Sequence, residues 1–351
     1  MTPAYRAYFS AHPVNMMLRY IVGAIILLSC AYGFIYFLDW AILKATWQGN
    51  STKDCNPQGA CWAMIHARWD QFMYGFYPMT QRWRVNLSLI LLATTIILSA
   101  RPKIALSYRI SIAILMSLTI IFLLKGGYFL TPIPTNLWGG LFLTIFLTIG
   151  SIVCAFPLAI LLALGRNSQF IIIKSCCIAF IEIIRGVPLI SILFMASVML
   201  PLLLPQEIVV DKLLRAFVGI MCFQAAYMAE VLRGGFNSIS KGQLEAAYSL
   251  GLTYWQSVHL VLLPQTLRAV IPGLVNNFIA LFKDTTLVLI IGIYDFLGIV
   301  QLATTTPAWL GTALEAYLFC GIVYWFFCFG MSYYSRRVER KIRIGSHFHE
   351  I

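Results

Sequence analysis

The charged residues set inside long apolar runs are the part of this sequence equipped for chemistry, and that chemistry is recognition of charge. Glu182 and Arg185 stand three apart, on one helical face, just before the interruption Gly186-Val187-Pro188. The same spacing recurs at Glu230 and Arg233, inside Ala225-Ala226-Tyr227-Met228-Ala229-Glu230-Val231-Leu232-Arg233-Gly234-Gly235, where Ala226 and Ala229 let a neighbouring helix approach closely. Each pair has two readings: a salt bridge that steadies a helix, or a polar group facing a solute pathway. A third cluster, Lys283-Asp284-Thr285-Thr286, lies within the apolar run 268–294. A lysine isolated at bilayer depth costs roughly 3 kcal/mol, and successive helical residues point about 100° apart, so Lys283 and Asp284 need partners other than each other. A zwitterion would need an anion beside its ammonium and donors beside its carboxylate. Glu230 is the anionic candidate, with Arg185 or Lys283 facing the carboxylate and Tyr227 and Glu182 nearby in the pattern.

The sequence shows no catalytic or metal-binding constellation. It has no Walker A string, no G-x-S-x-G and no H-E-x-x-H, and Ser238-Ile239-Ser240-Lys241 matches S-x-x-K without the accompanying elements. Histidine and cysteine spacing does not fit zinc: Cys176-Cys177 are adjacent in an apolar run, and His347 and His349 sit in the polar tail. The chain carries no bound cofactor by this reading.

The elements that must position these charges are membrane helices. Of 351 residues, 60% are hydrophobic and 11% charged, and the mean hydropathy is +0.82. Such a chain cannot cover its apolar surface with polar side chains. Apolar runs at 20–38, 85–100, 108–124, 138–164, 172–204, 213–232, 268–294 and 314–335 predict an all-α polytopic protein of about eight transmembrane helices. The run 172–204 is too long for one straight crossing, and Pro188 lies inside it. With the N-terminus inside, the inner segments and helix ends hold 15 basic residues, among them Arg6, Arg101 and Lys103, against 8 on the outer side. Both termini are therefore expected in the cytoplasm. The +12 net charge reflects this topology, and no soluble segment carries a basic stripe suited to nucleic acid.

The organisation falls into three parts. Residues 1–130 form an N-terminal extension of three helices with an external loop at 39–84 that is rich in Trp and Tyr, expected to lie along the membrane surface. In that loop Cys55 and Cys61 flank a Pro- and Gly-containing turn and are candidates for a disulfide in an oxidising compartment. The stretch Thr131-Pro132-Ile133-Pro134 opens a five-helix region at 131–340, and 341–351 is a cytoplasmic tail. The outer stretch from Gly292 to Glu315 has two readings, a segment across the membrane surface that receives a partner and a solvated loop, and the loop is the one expected. No internal repeat relates the two halves, so a symmetric pathway would need a second subunit.

One cytoplasmic segment, 234–267, is built differently from the spans. Ser240 to Ser249 is helix-competent and contains Glu245-Ala246-Ala247. Gly251 can adopt the positive φ that ends a helix, and Pro264 is expected to start the next one. This is a compact docking element.

With these residues in view, the chain resembles permease subunits of ABC importers for polar amino acids, most closely the larger subunit of general L-amino-acid systems. The resemblance covers about 135–340 and rests on Gly140-Leu141-Phe142-Leu143-Thr144, Glu182-Ile183-Ile184-Arg185-Gly186-Val187-Pro188-Leu189, the Ala226–Gly235 string, the Glu-Ala-Ala loop and Leu281-Phe282-Lys283-Asp284-Thr285-Thr286-Leu287. Thr286 stands where the family more often has serine. The resemblance implies a five-helix permease core in a bacterial inner membrane. It also implies a second permease subunit, two cytoplasmic ATPases holding ATP and Mg, an external amino-acid-binding protein and surrounding lipid. In that scheme Glu245, Ala246, Ala247, Gly251 and Pro264 couple to an ATPase. An ABC permease for another small solute is the alternative, followed by an ion-coupled secondary transporter.

Overall fold

The computed structural model describes residues 13–99, 105–127, 129–203, 205 and 209–347. Arg6, Arg101, Lys103 and His349, used above, lie outside them. Among the described residues regular structure is helical, with isolated β-bridges only.

In chain order the helices are α1 (Pro13–Leu38), α2 (Ala63–Ala67), α3 (Trp69–Tyr74), α4 (Arg82–Ser99), α5 (Leu106–Lys125), α6 (Gly140–Arg166), α7 (Ile171–Gly186), α8 (Leu189–Phe194), α9 (Leu200–Leu203), α10 (Lys212–Ser238), α11 (Lys241–Ser249), α12 (Tyr254–Ser257), α13 (Leu263–Asp284), α14 (Phe296–Thr304) and α15 (Ala313–His347). Among the described residues seven helices are long and apolar enough to cross a membrane, and an eighth candidate is the bent pair Ile171–Gly186 and Leu189–Leu203. That pair turns by 103°. The cause is local: Val187 precedes a proline and is held extended at φ −110°, ψ 134°, which a helix cannot continue through.

Two compact units divide the chain. The first comprises residues 1–68 and 303–317. Its outer loop gathers a cluster of tryptophans. Trp62 sits 6.4 Å from Trp40 and 6.2 Å from Trp47, ring centre to ring centre, and donates its indole N–H to the Ala41 carbonyl at 2.7 Å. Cys55 and Cys61 form the anticipated disulfide. The Cys61 amide then donates to the buried Glu315 carboxylate at 3.1 Å.

The second unit comprises 69–302 and 318–351 and contains two apolar cores. One gathers α4, α5, α6, α8, α10 and the end of α13 around Leu143, Leu147, Leu193, Ile220 and Val288. The other is a seam of small side chains, Ala155, Ala159 and Ala163 on α6 against Ala225 and Ala229 on α10, all fully buried. Alanines four apart let two membrane helices approach closely, where dispersion contacts replace a hydrophobic driving force. Gly235 carries the same logic to α13: a Cβ there would lie 2.3 Å from Val270 Cγ1.

Pro264 stands in the first turn of α13, as expected, while helical structure already resumes at Tyr254 and passes through a π turn at Val258–Leu262 before α13 begins. Proline has no amide to donate and its ring crowds the preceding turn, and a widened turn accommodates both. The stretch from Gly292 to Glu315 is not a solvated loop. In the second unit Asp295, Phe296, Ile299 and Val300 are fully buried, and in the first unit Trp309, Thr312 and Glu315 are buried.

Candidate functional site

Glu230, near the C-terminal end of α10, collects three arginines. Arg233, one turn on, pairs with it through two nitrogens, Nε to Oε1 at 2.8 Å and Nη2 to Oε2 at 3.1 Å. Arg166, the last residue of α6, lies 2.9 Å from the same carboxylate, and Arg185 on α7 lies 3.3 Å from its other oxygen. Arg166 also reaches Glu182 at 3.0 Å. Glu182 and Arg185, paired by their spacing, thus belong to a wider cluster in which each finds a different partner. Arg185 additionally covers the Tyr227 ring, 5.4 Å from its centre. Glu230 is 16% exposed and Glu182 56% exposed, so the three guanidinium groups converge on Glu230 and Glu182 contributes from the rim. Arg166 had a readable signal, a cation closing a long apolar run, but nothing in the sequence indicated its partner.

Lys283 to Thr286 form no hydrogen bond or ion pair with this cluster. α13 ends at Asp284, and the chain tightens into a 3₁₀ turn from Thr285 to Ile291. The Thr285 hydroxyl donates to the Phe282 carbonyl at 2.9 Å and the Thr286 hydroxyl to the Lys283 carbonyl at 2.8 Å, satisfying carbonyls that the change of helix type would otherwise orphan. Thr285 is fully buried and Lys283 exposed. Neither Lys283 nor Asp284 has an ion-pair partner among the described residues.

Beyond that turn lies a buried constellation the sequence only hinted at. Asp295 caps α14, accepting the Gly298 amide at 2.9 Å on one oxygen and the Tyr324 hydroxyl at 3.2 Å on the other. The Thr144 hydroxyl accepts the Phe296 amide at 3.0 Å, and the Gly140 amide donates to the Tyr294 carbonyl at 3.1 Å. Gly140 must be glycine: its φ is +71°, and a Cβ would stand 2.5 Å from the Phe72 carbonyl oxygen. Burial pushes the Asp295 carboxyl up to about 6, and its hydrogen bonds with Gly298 and Tyr324 oppose this.

The segment expected in the cytoplasm forms helix α11, with Ser240 at its N-cap. Glu245 and Ala246 are exposed and Ala247 is buried. Gly251 has φ +76°, its amide donates to the Tyr248 carbonyl at 2.9 Å, and the Leu252 amide donates to Ala247 at 3.2 Å, the double closure of a left-handed helix end. Gln265 on α13 donates to Gln243 on α11 at 3.1 Å, which tethers this helix to the one that follows. Tyr248, Leu250, Tyr254 and Trp255 leave large apolar surfaces exposed around it.

Against known proteins, the family of binding-protein-dependent transport system inner membrane components matches residues 155–344. The chain belongs to this family. It is 50% identical over 315 residues to the inner membrane amino-acid ABC transporter permease protein YhdY of Escherichia coli strain K12, covering 88% of this chain and 85% of that protein. It is 36% identical over 371 residues to the glutamate/glutamine/aspartate/asparagine transport system permease protein BztC of Rhodobacter capsulatus, covering 86% of each. Among solved structures it is similar to an amino acid ABC transporter with histidines, at TM-score 0.51 and 26% identity, over 57% of this chain and 92% of that one. Members of this transport-component family are integral membrane subunits rather than enzymes. In this member, the motif strings quoted above fall at the start of α6, across the α7–α8 break, on the α10 cluster, on the α11 element and at the end of α13.

Proposed function

We propose that this chain is one of two permease subunits of an ATP-driven importer that carries amino acids into the cytoplasm. The observation that carries the reading is α11. A short polar helix, closed by Gly251 at positive φ and ringed by exposed Tyr248, Leu250, Tyr254 and Trp255, is a surface shaped for a protein partner. Two cytoplasmic ATPases, holding the ATP and Mg that this chain does not bind, take it in a groove and convert nucleotide binding into movement of α10 and α13. An external amino-acid-binding protein delivers the solute. The protein sits in the bacterial inner membrane, within lipid, with both termini in the cytoplasm.

Amino acids are the substrates by likeness to YhdY and BztC, whose names state that class. Lys283 and Asp284 support it: an exposed lysine and a carboxylate without ion-pair partners, at the mouth of a helix break, suit a solute bearing both charges. Glu182, Arg185 and Glu230 act with Arg166 and Arg233 as a charged strut holding α6, α7 and α10, with Tyr227 packed beneath. The test is reconstitution of the chain with its co-purifying partners and measurement of amino-acid uptake. Uptake should require ATP; uptake without ATP points to an ion-coupled carrier.

A further inference from the structure

The second unit has a cavity of about 350 Å³ whose wall is mostly apolar with a few charged groups at it, near the lower end of the ~300–1,000 Å³ typical of small-molecule sites. Its walls come from the end of α5, the segment before α6, the start of α10 and the turn after α13, and its polar groups include Lys125, Thr135, Asn136, Asp211, Lys212 and Tyr294. α10 places it. That helix has 27 residues, roughly 40 Å at 1.5 Å per residue, with Lys212 at one end and the chain leading into α11 at the other. The cavity therefore opens on the membrane face opposite the docking helix.

Its charges are unspent. Lys125 and Lys212 have no ion-pair partner among the described residues. Lys212 is exposed at the rim with its ammonium beside Gly292: a Cβ there would lie 3.2 Å from its Nζ. Asp211 is held in place, accepting the Leu214 amide at 3.0 Å through Oδ1 and the Thr135 hydroxyl at 2.5 Å through Oδ2. Each of these oxygens keeps a further acceptor site.

We propose that this cavity is an outer receiving site for an acidic amino acid, its two carboxylates met by the Lys125 and Lys212 ammonium groups and its own ammonium by Asp211. Two cations against one anion favour a ligand of net charge −1 over a neutral zwitterion, and a neutral one over a cationic one. The site acts before the pathway at Lys283 and Asp284 and sets which amino acids enter it. This deepens the importer reading and rests on it.

The test uses the complete permease and ATPase complex. First, equilibrium dialysis of labelled L-glutamate against the complex without binding protein should show binding that L-aspartate displaces and L-lysine does not. Second, in proteoliposomes with binding protein, the ratio of glutamate to leucine uptake should fall at least tenfold in the double variant K125Q/K212Q and be retained in K125R/K212R, which keeps both charges. An unchanged ratio in K125Q/K212Q, or no glutamate bound in dialysis, overturns the proposal. An equal loss of glutamate and leucine uptake together with weaker co-sedimentation of the binding protein also overturns it, making the cavity a docking patch. ATP-driven leucine uptake by the unaltered complex is the control that separates these outcomes from failure of the importer reading.

Discussion

Arg166 and Glu230 lie 2.9 Å apart, joining the last residue of α6 to the far end of α10 where α7 also arrives. With Arg185 and Arg233 on the same carboxylate, Glu230 is the only carboxylate at the centre of three guanidinium groups among the described residues. Removing its charge leaves those three cations facing each other with Glu182 at the rim.

Glu230→Gln should therefore act on stability first. Breaking one partner out of a partly buried charge network costs on the order of 3 kcal/mol. The complex is expected to melt at lower temperature and to lose lysine, glutamate and leucine uptake in proportion. A normal melt with selective loss of lysine uptake would make Glu230 a solute contact instead.

Gly251→Val should uncouple transport without unfolding the spans. No atom lies within 4 Å of a Cβ at this position, so the penalty comes from forcing a β-branched residue to φ +76°. Co-purification of the ATPase and substrate-stimulated hydrolysis should both fall, as they should for Glu245→Lys. Unchanged values for both variants remove the docking role of α11.

Single cysteines at Gln58 and Gln243 report topology. Both positions are exposed, one in the disulfide-closed loop and one on α11. In a background that keeps Cys55 and Cys61 but lacks the free cysteines, an impermeant thiol reagent should label Gln58→Cys from outside and Gln243→Cys from inside. Labelling of both from one side contradicts the proposed orientation.

Asp295 gives a pH dependence with a definite sign. Its carboxyl in the folded protein sits at about 6, above the ordinary 3.8, because burial penalises the charged form. The folded state thus binds the proton more tightly, so this group's stabilising contribution is full below pH 4 and is lost as pH rises towards and through 6. Two units correspond to about 3 kcal/mol as an upper bound. Melting temperatures at pH 5 and pH 7.5 should differ less for Asp295→Asn than for the unaltered protein. An identical difference would show that Asp295 is charged throughout.

Hydropathy alone made the membrane helices legible, and proline chemistry located the break at Val187-Pro188, because both are local properties of a few consecutive residues. α11 was legible for the same reason: Gly251 marks its end wherever the rest of the fold goes. Pairings between distant segments were not. Spacing put Glu182 with Arg185, but the fold gives each a partner from another helix. The alanine seam on α6 reads as ordinary apolar sequence until α10 is beside it. Burial of Asp295 and Phe296 was hidden because a stretch containing glycine and aspartate resembles a loop, and two of its hydrogen-bond partners, Thr144 and Tyr324, come from distant segments.

The hydrogen bond between Cys61 and Glu315 spans 254 residues of sequence. A ribosome delivers the first partner long before the second, so the tryptophan-lined unit cannot be completed until Glu315 has been made. Its disulfide needs only a separation of six residues and can close early. Maturation of this unit is therefore a checkpoint on chain length: a protein truncated before α15 can carry the closed cysteine loop yet never seat it.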